Sequence, residues 1–174
     1  DGQFASWGDV VNSNYDPSNF FRTGVNTINS VSLSTGTSKN QTYVSVSATN
    51  STGILPNNKY ERYNVSGRNT ASFLNDKLTL DFGANLIFQN DRNMTAQGRY
   101  FNPLTSLYLF PRAENFDAVR MYERYNEGLG IYEQYWPYET QSMELQNPYW
   151  TMNRIIRENK KKRFMTNASL KWNI

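Results

Sequence analysis

Lys77–Asn90 reads KLTLDFGANLIFQN, and its period decides the fold. Leu78, Leu80, Phe82, Ala84, Leu86 and Phe88 fill the even positions. Thr79, Asp81, Gly83, Asn85 and Gln89 fill odd ones, with Ile87 the apolar intruder. Alternation of this length is the period of a β-strand with one apolar and one wet face, whereas a helix scatters the same residues around its circumference. The preceding stretch matches: Tyr63, Val65, Ala71 and Phe73 alternate with Asn64, Ser66, Arg68, Thr70 and Ser72. Setting Phe73 opposite Leu78 places Val65 opposite Leu86 and Tyr63 opposite Phe88. The turn then centres on Asn75-Asp76, residues that tolerate left-handed backbone. Tyr63 to Phe73 spans roughly 33 Å of strand at about 3.3 Å per residue. Tilted by about 45°, it projects to roughly 23 Å, close to the ~25 Å apolar band of an outer-membrane barrel with its aromatic girdles. Gly67 and Asn69 fall on the apolar face and stand against that reading.

The rest of the chain repeats the pattern. A strand near 23–36 carries Val31 and Leu33 against Ser30, Ser32 and Ser34. After the turn at 36–40, a strand at 41–50 sets Val44, Val46 and Ala48 against Tyr43, Ser45, Ser47 and Thr49. Facing Leu33 with Val44 puts Val31 opposite Val46, so this hairpin also has one apolar side. Strands at 60–74 and 77–90 form the hairpin already read. A last strand at 161–174 places Phe164, Ala168, Leu170, Trp172 and Ile174 on one face, and Arg163, Asn167, Ser169, Lys171 and Asn173 on the other. Tight turns at 36–40 and 74–77 share one end, and long connections at 51–59 and 91–160 share the other. Short turns opposite long loops is the up-and-down plan of outer-membrane barrels. The expected class is therefore all-β, with antiparallel strands forming part of a large transmembrane β-barrel and one long, partly helical extracellular loop.

Composition narrows the chemistry. The 174-residue chain has no Cys and no His, which excludes disulfides, thiolate and imidazole metal sites, and His-based triads built from its own residues. Aromatic residues make up 15% of it, and abundant Asn, Ser, Thr and Tyr suit strands rather than a helical bundle. There is no 18-residue apolar run for a transmembrane helix, which leaves barrel strands untouched. Asp1–Gly8 lacks the basic start and apolar stretch of a secretory signal, as a mature chain or an internal fragment would. The net charge is only +3, and nucleic acid is not an expected partner. Lys160–Arg163 reads as a solvated loop end, with phosphate contact as the alternative. Five Asn-x-Ser/Thr triplets, at Asn40, Asn50, Asn64, Asn93 and Asn167, read as chance in so Asn-rich a chain.

Asp1–Arg22 reads as irregular. Within 91–160, Phe101–Pro111 forms an apolar patch and Phe116–Glu127 is expected to be helical, with Val119, Tyr122 and Tyr125 at spacings of three. Trp136, Tyr138, Tyr149 and Trp150 are the candidate contacts for cargo or a partner, with self-packing as the competing role. Glu114, Asp117, Glu123, Glu127, Glu133, Glu139 and Glu144 single out no carboxylate pair for glycoside hydrolysis. No catalytic, cofactor or metal residue is expected, and the chain is not read as an enzyme.

Asn19–Asn90, from NFFRTGVNTINSVSLSTG to NVSGRNTASFLNDKLTLDFGANLIFQN, resembles part of the barrel of SusC/RagA-type TonB-dependent transporters. FNPLTSLYLFPR (101–112) and NPYWTMNR (147–154) also resemble that family, in the same order. The resemblance implies import of oligosaccharides or peptides across the outer membrane of a Bacteroidetes-like Gram-negative bacterium. It implies a barrel of about 22 strands around a plug, a TonB box, outer-membrane lipid around the wall and a SusD-like surface lipoprotein as lid. No plug or TonB box is found here, and the strands supply only about five staves, as in an internal fragment. The alternative is a soluble secreted or surface β-sandwich that binds carbohydrate, whose apolar faces a second sheet would cover.

Overall fold

The computed structural model describes residues 15–98, 100–111, 114–136 and 145–173. Five long strands form one antiparallel sheet: β1 (Val25–Gly36), β2 (Asn40–Thr52), β3 (Lys59–Phe73), β4 (Leu78–Arg92) and β7 (Glu158–Trp172). Their order is β1-β2-β3-β4-β7, so neighbours in sequence are neighbours in the sheet, up and down. A two-stranded sheet pairs β5 (Glu123–Asn126) with β6 (Ile131–Gln134), and two short helices are α1 (Pro103–Leu109) and α2 (Pro148–Asn153). The chain separates into two compact units. The sheet unit holds the five long strands; the loop unit holds residues up to Gly24, Gly53–Asn58 and Arg92–Arg157.

The first hairpin has the expected register. Leu33 pairs with Val44 and Val31 with Val46. Between the hairpins, Val46 pairs with Val65. Between β3 and β4, side-chain contacts join Thr70 to Asp81 (3.2 Å), Ser72 to Thr79 (3.5 Å) and Asn90 to Glu61 (3.4 Å). These are opposing pairs in the register with Phe73 facing Leu78. The turn between them holds Leu74, Asn75 and Asp76 all at positive φ. From β7, the Asn173 N–H donates to Lys77 O (2.8 Å), and the Asn159 amide donates to Asp91 (3.5 Å). Asn167 covers Gly83, where a Cβ would collide with its amide. That register sets Trp172 opposite Leu78, Leu170 opposite Leu80, and Phe164 opposite Leu86. Among the described residues β1 and β7 each have one strand partner, so the sheet is open.

Two expectations change. Lys160–Arg163 lies inside β7 rather than at a loop end, because contact with β4 continues to Asn159, whose amide donates to Asp91 (3.5 Å). Phe116–Glu127 is not a helix: a 3₁₀ turn covers Phe116–Arg120, and Glu123–Asn126 is then extended as β5. Local turn chemistry decides it. Gly130 has a φ of 68° and its N–H reaches Asn126 O (2.8 Å), closing a hairpin in which Tyr125 and Tyr132 pair across the strands. Ring centroids 5.1 Å apart then reward the strand pairing that a helix would forgo.

The loop unit has the chain's conventional core: Tyr15, Phe20, Leu55, Leu107, Phe110, Phe116, Val119 and Met152 are buried together. The segment before Arg22, read as irregular, therefore contributes two core aromatics through a 3₁₀ turn at Pro17–Phe20 capped by Asp16. Of the residues named earlier, Trp7, Tyr138, Glu139, Glu144 and Ile174 lie outside the described residues.

Candidate functional site

In the three central strands most large apolar side chains are exposed and most of their polar-face neighbours are more covered, with buried Ala71 and exposed Tyr43 and Arg68 among the exceptions. β1 and β7 are exposed on both faces. In β4, Phe82 and Phe88 are 48% and 44% exposed, while Ile87 on the other face is 7% exposed and the Asp81 side chain 15%. In β2, Val44 and Val46 are exposed beside half-buried Ser45 and Ser47, and in β3 Tyr63 and Val65 are exposed beside half-buried Asn64 and Ser66. Asp81 and Leu80 lie on opposite faces, as the alternation requires. The row Val31–Val46–Val65–Leu86–Phe164 crosses all five strands and is exposed throughout, up to 77% at Val31. Tyr63 and Phe88 lie at one end of this apolar face, Phe73 and Trp172 at the other.

Asn69 does not break the band. Its amide donates to Asn40 Oδ1 (2.7 Å), Thr42 Oγ1 (2.8 Å) and Gln41 O (3.2 Å), so its polarity is satisfied by β2. Gly67, opposite Val44, simply leaves room. On the polar face Arg68 binds Asp81 through both of its forked nitrogens, with Nε 3.0 Å from Oδ1, and Thr70 also donates to Asp81. Ser45 and Ser66 hydroxyls meet at 2.7 Å. Ile87, the intruder in the alternation, is buried on this face.

In the loop unit the candidate aromatics divide. Trp136 and Tyr149 are half-buried and pack on the core: Trp136 lies 6.4 Å from Phe110 and Tyr149 5.0 Å from Phe20, both edge to face. Burial pushes the Tyr149 phenol above its ordinary range. Trp150 is half-buried with no ring partner among the described residues. A cleft of about 450 Å³ is lined by Tyr15, Asn19, Glu114, Asp117 and Arg120 among others. Arg120 is paired with Asp117 (3.0 Å), and Tyr15 is a core residue whose phenol burial pushes strongly upward. No three acidic side chains among the described residues cluster as a metal ligand set.

Two asparagines to which the sequence reading gave no structural role organise this unit. Asn147 is fully buried and caps α2 through Tyr149 N (2.9 Å), while its amide donates to Val119 O (2.8 Å) and Tyr135 O (3.0 Å). Asn93, also buried, sits at φ 51° and exchanges bonds with Arg157, its N–H reaching Arg157 O (2.8 Å) and its Oδ1 accepting from Arg157 N (3.0 Å). Its burial removes the Asn93 triplet as a glycan acceptor. The Asn-Pro pair before an apolar run was the available signal at Asn147. Among the described residues no helix is long and apolar enough to cross a membrane. No model of a known protein family matches the sequence, and no curated protein matches it.

Proposed function

We propose that this chain forms part of the wall of a β-barrel in the outer membrane and serves TonB-dependent import of oligosaccharides or peptides. One observation carries the membrane reading: in the central strands Val44, Val46, Val65, Phe82, Leu86 and Phe88 are exposed on one face while Ser45, Ser66, Asp81 and Ile87 on the other are more covered. In water that arrangement is unfavourable, at about 25 cal/mol for each Å² of apolar surface left exposed; against lipid the sign reverses. A polar face with satisfied pairs such as Arg68–Asp81 suits a hydrated interior. The exposed face favours lipid over the covering sheet that a soluble carbohydrate-binding sandwich requires.

Import, and a SusD-like lipoprotein lid, are supported by the SusC/RagA resemblance of Asn19–Asn90 and of the two later motifs. In this reading the connections 53–58 and 93–157 open to the outside, opposite the tight turns. Trp136, Tyr149 and Trp150 keep enough exposed surface to contact cargo or lid. Spin labels placed singly at residues 80 to 88 of the barrel protein, reconstituted in lipid, test the reading. Oxygen accessibility should peak at every even position and fall at odd ones. Uniform water accessibility along the strand would refute it.

A further inference from the structure

Because Lys160–Arg163 is extended in β7, its four charges are split between the two faces of the sheet. Lys161 and Arg163 join the polar face. Lys160 and Lys162 stand on the apolar face with Phe164, about 7 Å apart along the strand. In the register above, Lys162 is opposite Phe88, in the row where the apolar band ends. Lys160 is one row further on, opposite Asn90. Two neighbouring lysines on that face have acidic partners: Lys160 reaches Glu158 (3.4 Å), and Lys59 reaches Glu61 (2.7 Å), which also accepts from Asn90. Arg92, at the end of β4, has none among the described residues. Lys162 has no acidic partner among the described residues. An unmatched ammonium beside Phe88 and Phe164 thus borders the apolar face.

We infer that Lys162, assisted by Lys160, binds the phosphate of an anionic lipid in the leaflet at the long-connection end of the strands. This rests on the membrane reading of the apolar face. Charge complementarity and continuity with that face select the occupant. The aliphatic stems of the lysines lie along the hydrocarbon border while the ammonium groups reach the headgroup layer, where an anionic phosphate supplies the missing counter-charge. A soluble phosphate would gain the charge contact without the acyl chains that lie on Phe88, Phe164 and Leu86. The source is therefore the lipid.

The test titrates the barrel protein in neutral detergent with phosphatidylglycerol and counts retained lipids by native mass spectrometry. K162Q should weaken retention roughly fivefold, the effect of about 1 kcal/mol, and K160Q/K162Q at least as much. K162R should retain the lipid, K161Q/R163Q should leave it unchanged, and phosphatidylcholine should be held less well. Millimolar inorganic phosphate should not compete. Equal retention by K160Q/K162Q, equal loss in K161Q/R163Q, or displacement by inorganic phosphate overturns the inference. If the even–odd spin-label pattern holds while the lipid preference is absent, this inference alone falls. If that pattern is absent, the membrane reading falls and takes this site with it.

Discussion

Asn147 shows how much one side chain organises in the loop unit. Its carbonyl oxygen accepts from the first turn of α2, and its amide hydrogens satisfy the buried carbonyl of Val119 and the partly covered one of Tyr135. Asn147→Ala removes an N-cap, worth about 1 kcal/mol, and strands those two carbonyls at about 1–3 kcal/mol each. The variant should lose about 3 kcal/mol or more, read as a lowered midpoint in denaturant unfolding of the loop unit. Asn147→Asp should be little better, since it keeps the cap but sets a carboxylate against those two carbonyls. A loss below about 1 kcal/mol in both variants would mean that water reaches this site. The residue type was visible in the sequence; its tenants were not, because Val119 and Tyr135 lie far from it along the chain.

At the scale of elements, the β5–β6 hairpin is held by a charged clasp. Arg154, the residue that ends α2, donates to Glu123 (2.8 Å) and lies over the Tyr132 ring at 5.3 Å. The hydrogen bonds from Arg154, foremost, hold the Glu123 carboxyl below the usual carboxylate range. A depressed folded-state value means the clasp is complete above the ordinary value of about 4.3 and is lost as pH falls through the lower one. Hydrogen exchange across 123–134, corrected for intrinsic rates, should therefore rise below about pH 4. Glu123→Gln should raise it already at pH 7 and flatten that pH dependence. An unchanged profile in the variant would show that Tyr125–Tyr132 pairing alone holds the hairpin. This element was misread because spacings of three among Val119, Tyr122 and Tyr125 suit a helix, and periodicity over so short a run does not weigh the Asn126–Gly130 turn.

At the scale of the molecule, the sheet unit presents an exposed apolar face and two open edges. Natural soluble sheets blunt their edges with charge, proline or bulges. β1 has neither charge nor proline in its 12 residues, VNTINSVSLSTG. Its free N–H and C=O groups require partners, and in lipid each unpaired group costs several kcal/mol. Residues 1–174 alone, in buffer without detergent, should therefore self-associate, whereas detergent should disperse them. Sedimentation velocity with a thermal melt decides: a monodisperse monomer that melts cooperatively in plain buffer would make this a closed soluble domain and end the barrel reading.

The strands and the registers within the two hairpins were legible in the residues, because side chains alternate with a period of two and a tight turn fixes which apolar residues oppose. The pairings of β2 with β3 and of β4 with β7 came only from the structure. The strand ends fell within three residues of those read from the pattern. The Asn69 objection, the fate of Ile87 and the inclusion of Glu158–Lys160 in β7 were settled only in three dimensions, since each depends on a neighbouring strand. The loop unit was the least legible part. Its core gathers Tyr15, Leu55, Leu107, Phe116 and Met152 from three separate stretches of chain, and no local period marks residues that meet only after the chain folds back. Alternation is a local property of the backbone and can be read from sequence, whereas burial in an irregular unit is a property of closure and belongs to the tertiary structure alone.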